Sequence, residues 1–163
     1  MPATITLISV EEYLHSMYHP DCDYVDGEVQ ERNLGEWDHG TLQAELAAYL
    51  LNRRREWNIR VITELRIRVS PTRVRIPDIC VLDISHPRQP VLSTPPLLCI
   101  EVLSPSDNLA RVQNRIADFR EFGVPYTWLI NTKSRRAWVN SVEVVDGVLR
   151  AGHIEVPIVE LFD

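Results

Sequence analysis

Two stretches hold the residues whose types and spacing suit a chemical reaction. "RVRIPDICVL", from Arg73, and "LLCIEVLSPSD", from Leu97, are apolar runs that each carry one carboxylate, Asp78 and Glu101. An ionised carboxylate is costly to bury unless it is paired, hydrogen-bonded or bound to a metal. Side chains alternate along a strand, so Asp78 shares a face with Cys80 and Leu82, and Glu101 shares one with Cys99 and Leu103. If the two strands are neighbours and those faces coincide, the acids converge at one end of a sheet. Two convergent carboxylates with a backbone carbonyl, such as that of Val102, form a hard oxygen site suited to Mg²⁺ or Mn²⁺. Such an ion polarises a phosphate and activates water, so phosphodiester hydrolysis is the chemistry to expect. The competing reading is structural: a cap, or an ion pair of Asp78 with Arg66 or Arg75.

The elements that must position these acids follow from local signals. "SVEEYLHSMY" has Ser9 three residues before Glu12, a capping box that predicts a short helix. "HPDCDYVDGEVQERN" predicts a hairpin turning at Asp26-Gly27. Asp38 is a plausible N-cap for a long helix whose stripe contains His39, Gln43, Leu46 and Leu50, ending in Arg53 to Arg55. "RVITELRIRV" alternates and predicts one half-buried strand, with Thr63, Leu65, Ile67 and Val69 on one face. "IPDICVLD" and "LLCIEVLS" suit central strands covered on both faces, joined by the proline-rich, exposed "ISHPRQPVLSTPP". A second helix runs through Leu109, Val112, Ile116 and Phe119, with Ser106 or Asp107 as N-cap and Gly123 as the stop. "PYTWLIN", "AWVNSVEVV" and "DGVLRAGHIEVPIVELFD" supply the closing strands, with Trp128 and Trp138 as core or sheet residues. This order describes an α/β or α+β domain with a mixed sheet flanked by helices.

Composition narrows the function classes. The 163 residues, 45% hydrophobic and 25% charged, suit one domain spanning 1–163. A net charge of −6 argues against coating nucleic acid by bulk charge, so any such contact must be local. Cys22, Cys80 and Cys99 are odd in number and lack metal-ligand spacing, which suggests a reducing cytoplasm. No stretch reaches the roughly 20 apolar residues of a membrane span, and no secretory leader is evident.

Pro77-Asp78 followed by Glu101-Val102-Leu103 resembles the PD-(D/E)XK nuclease superfamily. More narrowly, "YVDGEV", "DHGTLQAELAAYL", "RIPDICVL", "IEVLSPSD", "FGVPYTWLI" and "VPIVELFD" resemble a bacterial family described as "putative restriction endonucleases", formerly a domain of unknown function. The similarity runs from about Ser9 to the C-terminus, and the joint order of these strings carries it. It implies a restriction-endonuclease-like sheet with Asp78, Glu101 and the Val102 carbonyl on a divalent metal. The superfamily's usual lysine, two residues after the second acid, is here Leu103. In this family it resembles a variant that has moved to the following helix, where Arg115 stands at the matching position and Arg111 where an acid is common. Arginine can stabilise phosphate charge but is too basic to act as a general base. His39, Glu28 of the Asp-Gly-Glu string, and Glu64 are further candidates to complete the site.

Two functions are consistent with these residues. One is a Mg²⁺- or Mn²⁺-dependent endonuclease acting on duplex DNA as a homodimer, one strand per subunit. The other keeps the fold with weak or lost chemistry, as a module binding nucleic acid or protein; Arg115 and the acidic net charge favour it.

Overall fold

The Ser9 Oγ accepts the Glu12 N–H at 3.1 Å and caps α1 (Val10–Leu14), as its spacing predicts. The molecule is described by a computed structural model over residues 6–32 and 35–162. β1 (Cys22–Val25) and β2 (Glu28–Glu31) form the expected hairpin; Asp26 (φ 49°) and Gly27 (φ 96°) both take the left-handed backbone that a primed two-residue turn demands. The helix expected from Asp38 starts at Trp37 and runs to Asn52 (α2); Glu36, not Asp38, is its N-cap. Asp38 instead lies in the first turn, where its charge complements the helix dipole.

The predicted single strand over residues 60–69 is two strands in two different sheets. The chain breaks at Glu64 (φ 53°), between β3 (Ile59–Thr63) and β4 (Ile67–Ser70). The run that begins at Arg73 breaks as well. β5 (Arg73–Arg75) ends before Pro77, which has no N–H to give a ladder, and β6 (Ile79–Asp83) begins after Asp78. β5 joins a four-stranded sheet in the order β2-β1-β5-β4, while β3 and β6 belong to the larger sheet. Asp78 therefore sits at a seam, on one of two segments that cross between the sheets.

β7 (Leu98–Leu103), β8 (Tyr126–Asn131), β9 (Ala137–Val139) and β10 (Val142–Glu143) complete the six-stranded sheet, ordered β10-β9-β8-β7-β6-β3. The β7–β8 pair is parallel and the others antiparallel, so the sheet is mixed as expected. Between β7 and β8 runs α3 (Leu109–Phe122), whose N-cap is Asn108 in place of the expected Ser106 or Asp107. Gly123 ends it with φ 104°, the left-handed stop that glycine adopts at no steric cost. β11 (Val148–Ala151), β12 (Ile154–Pro157) and a 3₁₀ turn (Ile158–Leu161) close the chain.

The two faces of the large sheet bury different partners. Ile79, Val81, Leu98, Ile100 and Val102 pack with Leu42, Leu46 and Leu50 of α2. Burying each of those leucines contributes about 2 kcal/mol, which is what orders α2 against the sheet. Cys80, Leu82 and Cys99 point the other way, onto Ile67, Val69, Phe119 and Val124. The loop between β6 and β7 is mostly exposed as expected, but Leu92 is buried and pinned to β4 by backbone bonds with Arg66 and Arg68. Among the described residues no helix is long and apolar enough to cross a membrane.

Candidate active site

The antiparallel register pairs Ile79 with Ile100 and Cys80 with Cys99. Continued by one rung, it sets Asp78 opposite Glu101, on the face of the two cysteines. The convergence expected from alternation is thus present, although Asp78 lies just outside β6. There its carboxylate replaces the missing strand: Oδ2 accepts the Val102 N–H at 2.7 Å. The Asp78 carbonyl accepts from Gln43 Nε2 at 3.0 Å and from the Glu64 N–H at 3.3 Å, so the residue is held from three elements.

Both carboxylates are buried, Asp78 at 2% exposure and Glu101 at 1%, and both are paired with cations. Arg32 Nη2 lies 2.7 Å from Asp78 Oδ1 and 3.9 Å from Glu101 Oε2, so one guanidinium nitrogen spans the two acids. Arg115 meets Glu101 from α3 through Nε at 3.1 Å and Nη2 at 3.3 Å. His39 Nε2 is 3.3 Å from Asp78 Oδ2. Arg32, His39, Asp78, Val102, Arg111 and Arg115 line one cleft of about 150 Å³, beside the N-terminal end of α3.

The electrostatics separate the two acids. Burial opposes ionisation of Asp78, but the hydrogen bond to His39 and the charge of Arg32 outweigh it and hold the carboxyl below its usual range. Burial dominates at Glu101, pushing it up to about 7 against the pull of Arg115. The hydrogen bond to Asp78 raises His39 above the ordinary imidazole value. Burial works against the charge on Arg32 and Arg115, and the neighbouring carboxylates more than offset it.

Of the residues expected at the site, Asp78, Glu101, Val102, Arg115 and His39 come together. Glu28 does not. It sits at the start of β2, paired with Val25, and is not among the residues lining the cleft. Four residues of extended chain, roughly 13 Å, separate it from Arg32. Glu64 reaches Asp78 through its backbone only, and its side chain is exposed. The alternative partners proposed for Asp78 are engaged elsewhere: Arg66 donates to the Leu14 carbonyl, and Arg75 binds Asp23 and Asp118. Arg53 stacks on Tyr49, and Trp128 is a core residue as expected.

Arg32 was not anticipated. A signal existed: Glu28, Gln30 and Arg32 share one face of an extended segment, and Arg32 is the member nearest the seam. Two buried acids also require cations, which should direct attention to the arginine at the hairpin's exit.

Among the described residues no cluster of three or more His, Cys, Asp or Glu side chains is assembled to hold a metal. The donor chemistry nonetheless fits a hard divalent ion. Two facing carboxylates converge on a position between them that attracts a cation, and a guanidinium nitrogen stands in for one there. Asp78 and Glu101 would hold such an ion.

The arrangement of sheets and helices also recurs elsewhere. The chain superposes with a TM-score of 0.83 on a crystal structure described as a "putative nuclease belonging to DUF820" from Anabaena variabilis ATCC 29413, at 22% identity, over 95% of this chain and 97% of that one. That likeness shows that this chain shares the mixed-sheet fold of that protein. Comparison with curated proteins gives no match. The profile of the Uma2 family, described as "Putative restriction endonuclease", matches residues 10–155. With nearly the whole chain matched, this protein belongs to the Uma2 family.

Proposed function

We propose that this chain is a divalent-metal-dependent endonuclease that hydrolyses phosphodiester bonds in DNA, with Asp78 and Glu101 as the metal ligands. One observation carries the reading: two buried carboxylates face each other across adjacent strands beside a cleft rimmed by arginines. When bound, Mg²⁺ or Mn²⁺ supplies the polarisation of the phosphate and the activation of water. The chain does the rest. The Val102 N–H and His39 orient the Asp78 carboxylate, and Gln43 locks its backbone. Arg115, permanently charged, takes no proton; it stabilises negative charge developing on the phosphate. Arg111, exposed at the rim, is placed for a neighbouring backbone phosphate. Duplex DNA is the substrate we assign, cut by a homodimer with one site per strand, because a two-fold assembly matches the symmetry of the duplex.

A second reading has its own observation. Arg115 replaces the expected lysine and is spent in an ion pair with Glu101, which suits a binding module that keeps the fold with weak chemistry. Supercoiled plasmid incubated with Mn²⁺ separates the two. Nicking by the wild type and its absence in Glu101→Ala support the nuclease. Equal nicking by both proteins points to contamination and sinks it, whereas plasmid binding without nicking assigns the module.

A further inference from the structure

We infer that Arg32 is a built-in counter-ion that competes with the divalent cation for the position between Asp78 and Glu101, so that loading the site requires its guanidinium to swing into the cleft. The inference rests on the metal-site reading above and adds a residue with a defined job to it.

The geometry leaves little alternative for an incoming cation. The Asp78 oxygens are both engaged, Oδ1 by Arg32 and Oδ2 by Val102 and His39, and the Glu101 oxygens both receive Arg115. One donor must yield. Val102 is backbone within β7 and cannot. Arg115 grips Glu101 with two nitrogens from the middle of α3 and lies 4.0 Å from Asp23 besides. Arg32 is the weakly held member. It stands one residue beyond the end of β2, and among the described residues its 2.7 Å bond to Asp78 is its only short ion pair and its buried Nε has no hydrogen-bond partner. A buried N–H without a partner is unfavourable, and moving the guanidinium outward hydrates it. The exit is open, because Arg32 itself lines the cleft. His39 supplies a positive charge to Asp78 when protonated, but it reaches only Oδ2 and leaves the bridging position untouched.

The charge arithmetic gives the purpose. With Arg32 in place, two carboxylates face two guanidinium groups and the buried cluster is neutral without metal. The acids stay preorganised, and the cation must win its place against a tethered competitor. Metal affinity is therefore set below what the same acids would show alone.

Mn²⁺ binding reads this directly, by the loss of the free-ion electron paramagnetic resonance signal at pH 8. Arg32→Met removes the charge and keeps the stem. It should bind Mn²⁺ about tenfold tighter than the wild type, as expected if the receptive state is a minor one until the guanidinium is gone. Arg32→Lys, which keeps a tethered cation, should stay near the wild type. Equal or weaker binding by Arg32→Met overturns the inference and leaves the metal site standing, provided that Asp78→Asn abolishes wild-type binding. No Mn²⁺ binding by any of these proteins overturns both. Should Arg32→Met not fold, the wild type still decides: the Arg32 Nε–H resonance, assigned by its loss in Arg32→Lys, should shift as Mg²⁺ is added, and an unmoved signal overturns the competition.

Discussion

Two charge clusters with buried centres lie end to end in this molecule, and they are built from the same parts. At the seam, Asp78, Arg32, Glu101 and Arg115 alternate in sign. Behind them, the buried Asp23, Arg75 and Asp118 continue the alternation, which runs out to the surface through Arg73 and the exposed Asp26, with Arg115 and Asp23 in distant contact at 4.0 Å. The second cluster ties β1 and β5 to α3. Arg75 reaches Asp118 at 2.7 Å and Asp23 at 3.1 Å, while Asp23 also accepts the Ile76 N–H. None of its members lines the cleft. The first cluster opens on that cleft and contains a guanidinium with a donor that has no partner among the described residues. Buried charge by itself therefore does not mark a site in this fold. What separates brace from site is an opening onto the cleft together with incomplete satisfaction.

The comparison breaks first at its arginines. Arg75→Met strands Asp23 and Asp118 in the interior and should cost about 3–5 kcal/mol of stability, read from the urea midpoint. Arg32→Met should cost clearly less, about 1–2 kcal/mol, since cleft water can reach Asp78. Equal losses would mean that both clusters are braces. Next, Glu101→Gln should abolish Mn²⁺-dependent nicking, by about 100-fold or more, if the seam is catalytic. Asp118→Asn, which also removes a buried carboxylate, should leave the nicking rate per folded molecule within about threefold, because no step passes through it.

How much of this was legible can be argued from the same residues. The hairpin and both long helices follow from local signals, a primed turn and a 3.6-residue stripe, and strict alternation gives the face of each acid, while the pairing that sets Asp78 opposite Glu101 comes from the sheet register. The sheet change was not legible. "RVITELRIRV" alternates without interruption, and nothing in its pattern announces that Glu64 turns the chain through a left-handed residue into another sheet. Pro77 carried that message for the neighbouring run, since proline cannot serve a central ladder, and it marks the seam that holds Asp78. Arg32 was missed because motif order drew attention to Glu28, on the same face but too far along. Long-range pairing of cations with buried acids has no sequence period, and so the whole brace was invisible until the strands were placed.

Arg115 probes the shared border of the two clusters. Arg115→Lys keeps the charge and loses the two-nitrogen grip on Glu101. If the guanidinium limits catalysis, nicking should rise by about tenfold, because a compact amine frees Glu101 and can orient water. An unchanged rate would confine Arg115 to ion pairing, and with it the border residue would belong to the brace.

The smallest expected effect tests whether the seam is held by charge as the brace is. His39 is raised above its ordinary value by the hydrogen bond to Asp78, and Asp78 is held low by His39 and Arg32 against its burial. A histidine raised on folding stabilises fully below its unfolded value, and that contribution is lost as pH rises through the folded one. Asp78 must stay ionised, which it does down to strongly acidic pH. The pair therefore contributes most between these limits. His39→Gln should be about 1 kcal/mol less stable than the wild type near pH 5.5, with the gap closing by pH 9. Urea midpoints at the two pH values check it. A gap that stays constant would show that His39 serves Asp78 as a neutral donor, leaving Arg32 as the only cation that Asp78 needs.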